Sequence, residues 1–247
     1  MKNSIKTALV AFVALFANTF VVAQEVQPAK CDTFKMNLVE NVSFYNFDDG
    51  QIVESRTNLD FKLDDNIKVD VSLPLYNEVL DTNSSTGVGD VDVTFTLQNV
   101  ATIYKVSVDL IAGVGIPLGG DYSSSEAVFA FGGVVSYKWD SFSISQTAKY
   151  NFVNDYTYVP ILGGFIYDNM FEGNTKFSYA ASDVFNVSAN VGQYYTDGQS
   201  TITAGPSLTY TVTNNIDIHG GVDFVLNDNL DLEDMDTVVS FGVGFKF

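Results

Sequence analysis

The chain has one cysteine, one histidine, one tryptophan and a single arginine, Arg56. A lone cysteine, Cys31, closes no intrachain disulfide and builds no thiolate metal cluster. Basic residues are scarce as a class: 12 Lys and Arg stand against 30 Asp and Glu, a formal charge of −18. Such a surplus of acid argues against nucleic acid or any other polyanion as a partner. Beyond the first residues no run of about 20 apolar side chains occurs, so no later segment reads as a membrane helix. There is no glycine-rich phosphate loop either. Gly113, Gly115, Gly119 and Gly120 read as strand and loop glycines. The acidic run Asp228, Asp231, Glu233, Asp234 and Asp236 lacks the ligand order of a calcium loop. No metal and no cofactor is expected.

The first residues carry a targeting pattern. Lys2 and Lys6 precede an apolar core from Ala8 to Phe16, and Val21-Val22-Ala23 sets small residues at a cleavage point. Residues 1–23 are read as a secretory signal peptide, 24–32 as a periplasmic N-terminal segment, and 33–247 as one domain. Cys31 follows Lys30 and sits too far past the cleavage point for a lipoprotein anchor. Without Lys2 and Lys6, 10 basic residues remain against the 30 acidic ones.

The rest of the chain is rich in aromatics, with 20 Phe and 13 Tyr, and it alternates. From Val53 to Leu63 the odd positions are mostly apolar, and the even ones are Glu54, Arg56, Asn58, Asp60 and Lys62. The same split recurs at Ile67–Leu73, Val91–Leu97, Tyr104–Leu110 and Ile216–Phe224. Period two places one face in an apolar solvent and the other in a polar one. Short connections are read at Asp64–Asn66, Asn99–Ala101, Trp139–Ser141, Ser182–Val184 and Thr213–Asn215. The alternate connections read as longer and rich in Gly, Ser, Asn and Asp. Short periplasmic turns facing long extracellular loops are the habit of outer-membrane barrels. The predicted fold is all-β: a transmembrane antiparallel up-and-down barrel of about 12 strands, with 14 as the alternative. The stretch from Asn154 to Met170 is read as a large loop around Pro160, folded inward. The last strand must pair with the first, because an open edge in lipid leaves backbone groups unsatisfied at a cost of several kcal/mol each.

Aromatics near strand ends, Phe34, Phe44, Tyr76, Tyr104, Tyr137, Trp139, Phe142, Phe152, Tyr195, Tyr210, Phe245 and Phe247, are expected to form interfacial girdles. The polar parity supplies the predicted lumen lining: Glu54, Arg56, Asp60, Lys62, Lys68, Asp70, Asp92, Lys105, Asp109, Lys149, Asp217, His219 and Asp223. That wall reads as close to charge-balanced. The excess acid is assigned to the loops, including Glu78, Glu172 and the 228–236 run. Those loops would solvate the mouth, attract cations or bridge divalent ions to lipopolysaccharide. They predict a weak cation preference that fades as salt rises.

The final residues alternate strictly and stop on an aromatic. Ser240, Gly242, Phe245 and Phe247 resemble the terminal signal read by the outer-membrane barrel assembly machinery. That pattern implies the assembly machinery and outer-membrane lipid as partners, and a location in the outer membrane of a Gram-negative bacterium.

Catalysis is weighed on His219, which shares its face with Asp217 and Asp223. No His-x-Ser pattern accompanies it, and a nucleophile, a base and an orienting group are all required. No catalytic residue is assigned.

Two stretches carry a family likeness. Ser85-Thr86-Gly87-Val88-Gly89-Asp90-Val91 resembles the GxGD strand start of the MetA-pathway phenol-degradation proteins. Ala112 to Asp121, with Pro117 and Gly119, is similar to the loop entry that follows it, although Leu118 replaces the usual Thr. The resemblance implies an outer-membrane barrel that passes small, often hydrophobic, molecules. The expected function is thus a monomeric, porin-like passive channel for small solutes, hydrophobic or aromatic ones included. The alternatives are a structural, adhesive or phage-receptor barrel without transport, and an outer-membrane hydrolase.

Overall fold

The computed structural model describes residues 35–47, 50–80, 84–162, 164–196, 199–228 and 235–247. The signal peptide, the N-terminal segment with Cys31, Phe34, and the loop acids Asp231, Glu233 and Asp234 lie outside the described residues.

The described residues form fifteen strands in order: β1 (Lys35–Phe47), β2 (Gly50–Lys62), β3 (Ile67–Leu80), β4 (Ser84–Val88), β5 (Val91–Ile103), β6 (Val106–Ile116), β7 (Val128–Trp139), β8 (Phe142–Phe152), β9 (Thr157–Val159), β10 (Gly164–Ile166), β11 (Met170–Ala180), β12 (Phe185–Thr196), β13 (Gln199–Thr213), β14 (Ile216–Asp228) and β15 (Met235–Lys246). β9 and β10 pair only with each other. β4 and β5 both pair with β3, β4 along Leu75–Val79 and β5 along Ile67–Ser72, so they form one wall strand bent at Gly89–Asp90. The wall is therefore a barrel of 12 strands, all antiparallel. It closes where β1 meets β15, from Asn37 opposite Lys246 to Phe47 opposite Met235. Closure joins the first and last wall strands, so no open seam remains between them.

Side-chain parity follows the sequence. Phe95 and Phe241 are each 51 % exposed, and Leu110, Phe131, Leu208, Ile218 and Phe224 project from the same outer surface. An apolar skin on this scale needs an apolar solvent around it. Aromatics frame it at both ends. Tyr104, Trp139, Phe142 and Tyr210 stand near the turns, and Phe152, Phe171 and Tyr195 near the opposite rim. Tyr76 departs from the expected girdle. It shares parity with Glu54, points inward and is 3 % exposed.

The connections depart from expectation in three places. β5 does not turn at Asn99. Asn99 takes a left-handed φ of 53° and donates its backbone N–H to the Asp109 carboxylate at 2.7 Å. The register steps there from Leu97–Leu110 to Ala101–Val108, a bulge, and the strand continues to Ile103. The turn itself is Tyr104–Lys105, with Tyr104 at φ 56°. Second, not every connection at the loop end is long: only positions 48–49 separate β1 from β2, and only 197–198 separate β12 from β13. Third, Glu78 and Glu172, assigned to loops, lie in β3 and β11, and Asp228 and Asp236 lie in β14 and β15.

The wall is also irregular within β13. Pro206, in the middle of β13, has no N–H to offer its neighbour. Pairing with β14 runs to Ala204–Phe224 and resumes at Ser207–Gly221. Gly205 beside it lies so close to the Val222 carbonyl that no side chain fits.

Candidate functional site in the lumen

The loop end of the barrel holds a cavity of about 480 Å³. Five tyrosines border it: Tyr45, Tyr76, Tyr122, Tyr158 and Tyr194. Its charged lining is Arg56 and Lys149 against Asp70, Asp90, Asp92 and Glu172.

The stretch Gly87–Asp90 builds one side of this cavity. A side chain at Gly87 would strike the Tyr122 ring, and one at Gly89 would strike Tyr76 and Pro74. The two glycines thus clear the space in which the two tyrosines lie, with ring centroids 5.4 Å apart. Asp90 then ties down the 117–127 loop. Its carboxylate accepts the Ser123 hydroxyl at 2.7 Å, the Ser124 N–H at 2.9 Å, and the Ser124 hydroxyl. Ser123 in turn accepts the N–H groups of Leu118 and Gly119 at 3.1 and 3.3 Å. Tyr122 is held by Glu78, to which it donates at 3.0 Å.

The hairpin β9–β10 covers the cavity from above, as the inward-folded loop predicts. Tyr158 meets Tyr76 edge-on at 5.0 Å and Tyr122 at 4.8 Å. Ile161 packs against both small apolar clusters of the barrel mouth, one around Tyr45, Ile52 and Val238 and the other around Val153, Ile166 and Met170. Burial pushes the phenols of Tyr122 and Tyr158 above their ordinary value near 10, so both remain neutral donors at neutral pH.

The cations of the cavity are already engaged. Arg56 pairs with Glu54 and lies 3.6 Å from Asp92. Glu54, 4 % exposed, also accepts the Tyr45 hydroxyl at 2.7 Å. Lys149 pairs with Glu172 at 2.7 Å, and Asn151 donates to the other Glu172 oxygen at 2.7 Å. Moving Glu172 and Glu78 from the loops to the wall overturns the expected charge balance. The lining is net acidic.

Of the predicted lining, Arg56, Asp70, Asp92 and Lys149 border the cavity, and Glu54 backs Arg56. Asp60 and Asp70 flank Lys68 further down, with Asp60 at 3.5 Å. Asp217 holds Lys246 at 2.5 Å and Thr211 at 2.7 Å near the turn end. Asp223 is half-buried, with one oxygen lacking a hydrogen-bond partner among the described residues. Asp109 is spent on the bulge. Lys62 pairs with Asp65 at 3.3 Å beside the first turn. Lys105 is a correction: it sits exposed in the Tyr104–Lys105 turn, below the wall. His219 turns to Asn41, Nε2 to Oδ1 at 2.5 Å, while Asp217 is engaged by Lys246 and Thr211. The Asp–His pair weighed for catalysis is not brought together.

Sequence reasoning missed the tyrosines and Glu172. Tyr45, Tyr76 and Tyr194 carry a signal, since each falls on the polar parity of its strand. Tyr122 and Tyr158 lie off the wall, where no periodicity marks a side chain as inward.

The sequence model of one family, described as "Putative MetA-pathway of phenol degradation", matches residues 17–247. The chain belongs to that family. The matched range includes the wall bend at Gly89–Asp90 and the loop anchored there. No curated protein matches the sequence. Among solved structures, the chain is similar to the NanC porin, with 13 % identity and a TM-score of 0.66 over 85 % of this chain and 100 % of that one. An outer membrane channel from Pseudomonas putida F1 shares 11 % identity at a TM-score of 0.68, over 90 % and 100 % of the two chains. The KdgM porin shares 11 % identity at 0.57, over 85 % and 99 %. The fold is that of Gram-negative outer-membrane channels and porins, and the protein is an outer-membrane β-barrel.

Proposed function

We propose that this barrel is a passive channel for small solutes, hydrophobic and aromatic ones included, and that it favours neutral and cationic species over anions. The observation that carries the reading is the cavity at the loop end: five tyrosines and a net acidic lining inside a closed barrel. A barrel of this strand number lies between small ones filled by side chains and wide open porins, so side chains and a folded loop govern passage. The likeness in fold to channels and porins supports transport at this general level. Ser240, Gly242, Phe245 and Phe247 serve assembly in the same proposal, as the terminal pattern read by the insertion machinery.

Swelling of proteoliposomes tests the reading. Vesicles carrying the protein should swell in small neutral solutes and in small aromatic alcohols faster than empty vesicles. Swelling no faster than empty vesicles in every solute would place the protein with structural or adhesive barrels. Lipid hydrolysis by the purified protein would place it with the hydrolases.

A further inference from the structure

We propose that the tyrosine-lined cavity is a binding site for small organic cations, an ammonium carried on an aromatic or alkyl body. The proposal deepens the channel reading and rests on it for the claim that solutes reach this cavity.

Three observations point the same way. First, the lining offers anions nothing to bind. Arg56 is taken up by Glu54, and Lys149 by Glu172. Second, one carboxylate is under-used. The ion-pair contact of Asp92 is Arg56 at 3.6 Å, beyond hydrogen-bonding length, and its side chain stays 47 % exposed to the cavity. Gly115 lies opposite Asp92 in the register, so no side chain there shields it, whereas Asp90 is fully bonded to the 117–127 loop. Third, tyrosines line the same cavity as this acid. Tyrosine faces attract a cation through their quadrupole, and an ammonium between an aromatic face and a carboxylate gains from both. The volume, about 480 Å³, is in the range of small-molecule sites.

The test is calorimetric titration of the detergent-solubilised full barrel with three ligands of one skeleton: 2-phenylethylamine, protonated at neutral pH, 2-phenylethanol and phenylacetate. The amine should bind about tenfold more tightly than the alcohol, and phenylacetate more weakly than either. Asp92→Asn should erase the advantage of the amine over the alcohol. Glu172→Gln, which releases Lys149, should weaken the amine and admit phenylacetate. Heat-modifiable migration confirms that each variant is folded, and if Asp92→Asn is not, Glu172→Gln and the wild-type ligand order decide. Phenylacetate binding as well as the amine, or an amine advantage untouched by Asp92→Asn in a folded barrel, overturns the site. Amine binding in a barrel that swells no vesicle would leave the site standing and sink the channel. Swelling without any amine preference would do the reverse.

Discussion

Gly242 sits where no side chain fits. On the inner face of β15 a Cβ would run into the His219 ring and the Asn41 amide, which are bonded to each other directly in front of it. The glycine of the terminal pattern thus has a packing reason of its own, independent of any recognition by the assembly machinery. Gly242→Ala should separate His219 from Asn41 and cost about 1–3 kcal/mol, the usual penalty for an added methyl group in a filled space. Urea unfolding of the inserted barrel measures it, and an unchanged midpoint would show that the His219–Asn41 contact gives way freely. Gly87 and Gly89 follow the same logic at the cavity. The sequence marks them through the family motif, but not why they are glycines, because the rings that need the space, Tyr122 and Tyr76, are 35 and 13 positions away from one or the other.

At the level of elements, the wall strands were legible and the parts lying across the wall were not. Each wall strand runs between lipid and lumen, so its side chains record two solvents in alternation. The hairpin β9–β10 records neither. Its strands are three residues each, and its side chains pack onto a mouth assembled from β1, β2, β3 and the 117–127 loop. The Asn99 bulge was misread for a different reason: a left-handed Asn is also what a tight turn uses, and only the Asp109 carboxylate on the next strand shows that pairing resumes beyond it. The hairpin covers the cavity, so shortening it should open the path. Replacing residues 157–166 by a short Gly-Ser linker should raise single-channel conductance and leave the barrel folded, since β9 and β10 contribute no pairing to the wall. Unchanged conductance would mean that the narrowest point lies deeper, among Asp60, Lys68 and Asp70.

On the scale of the whole molecule, charge decides the account. The sequence placed the acid surplus in the loops, where exposed charges are screened within about 10 Å at 0.1 M salt. Glu172 belongs to the wall because β11 begins at Met170, and Glu78 because β3 extends to Leu80. Both sit near strand ends, where element boundaries are least legible in sequence. Acid fixed in the lumen is screened less than acid on a loop. Selectivity set there should survive high salt, whereas selectivity set by the acidic 228–236 run should fade. The most direct measurement is the reversal potential of the reconstituted protein in a planar bilayer under a tenfold potassium chloride gradient, repeated at high total salt. The account predicts a potential of cation-selective sign that persists at high salt and shrinks in the double variant Asp92→Asn, Glu172→Gln. An anion-selective sign, or a preference that vanishes with salt and ignores that variant, would contradict it.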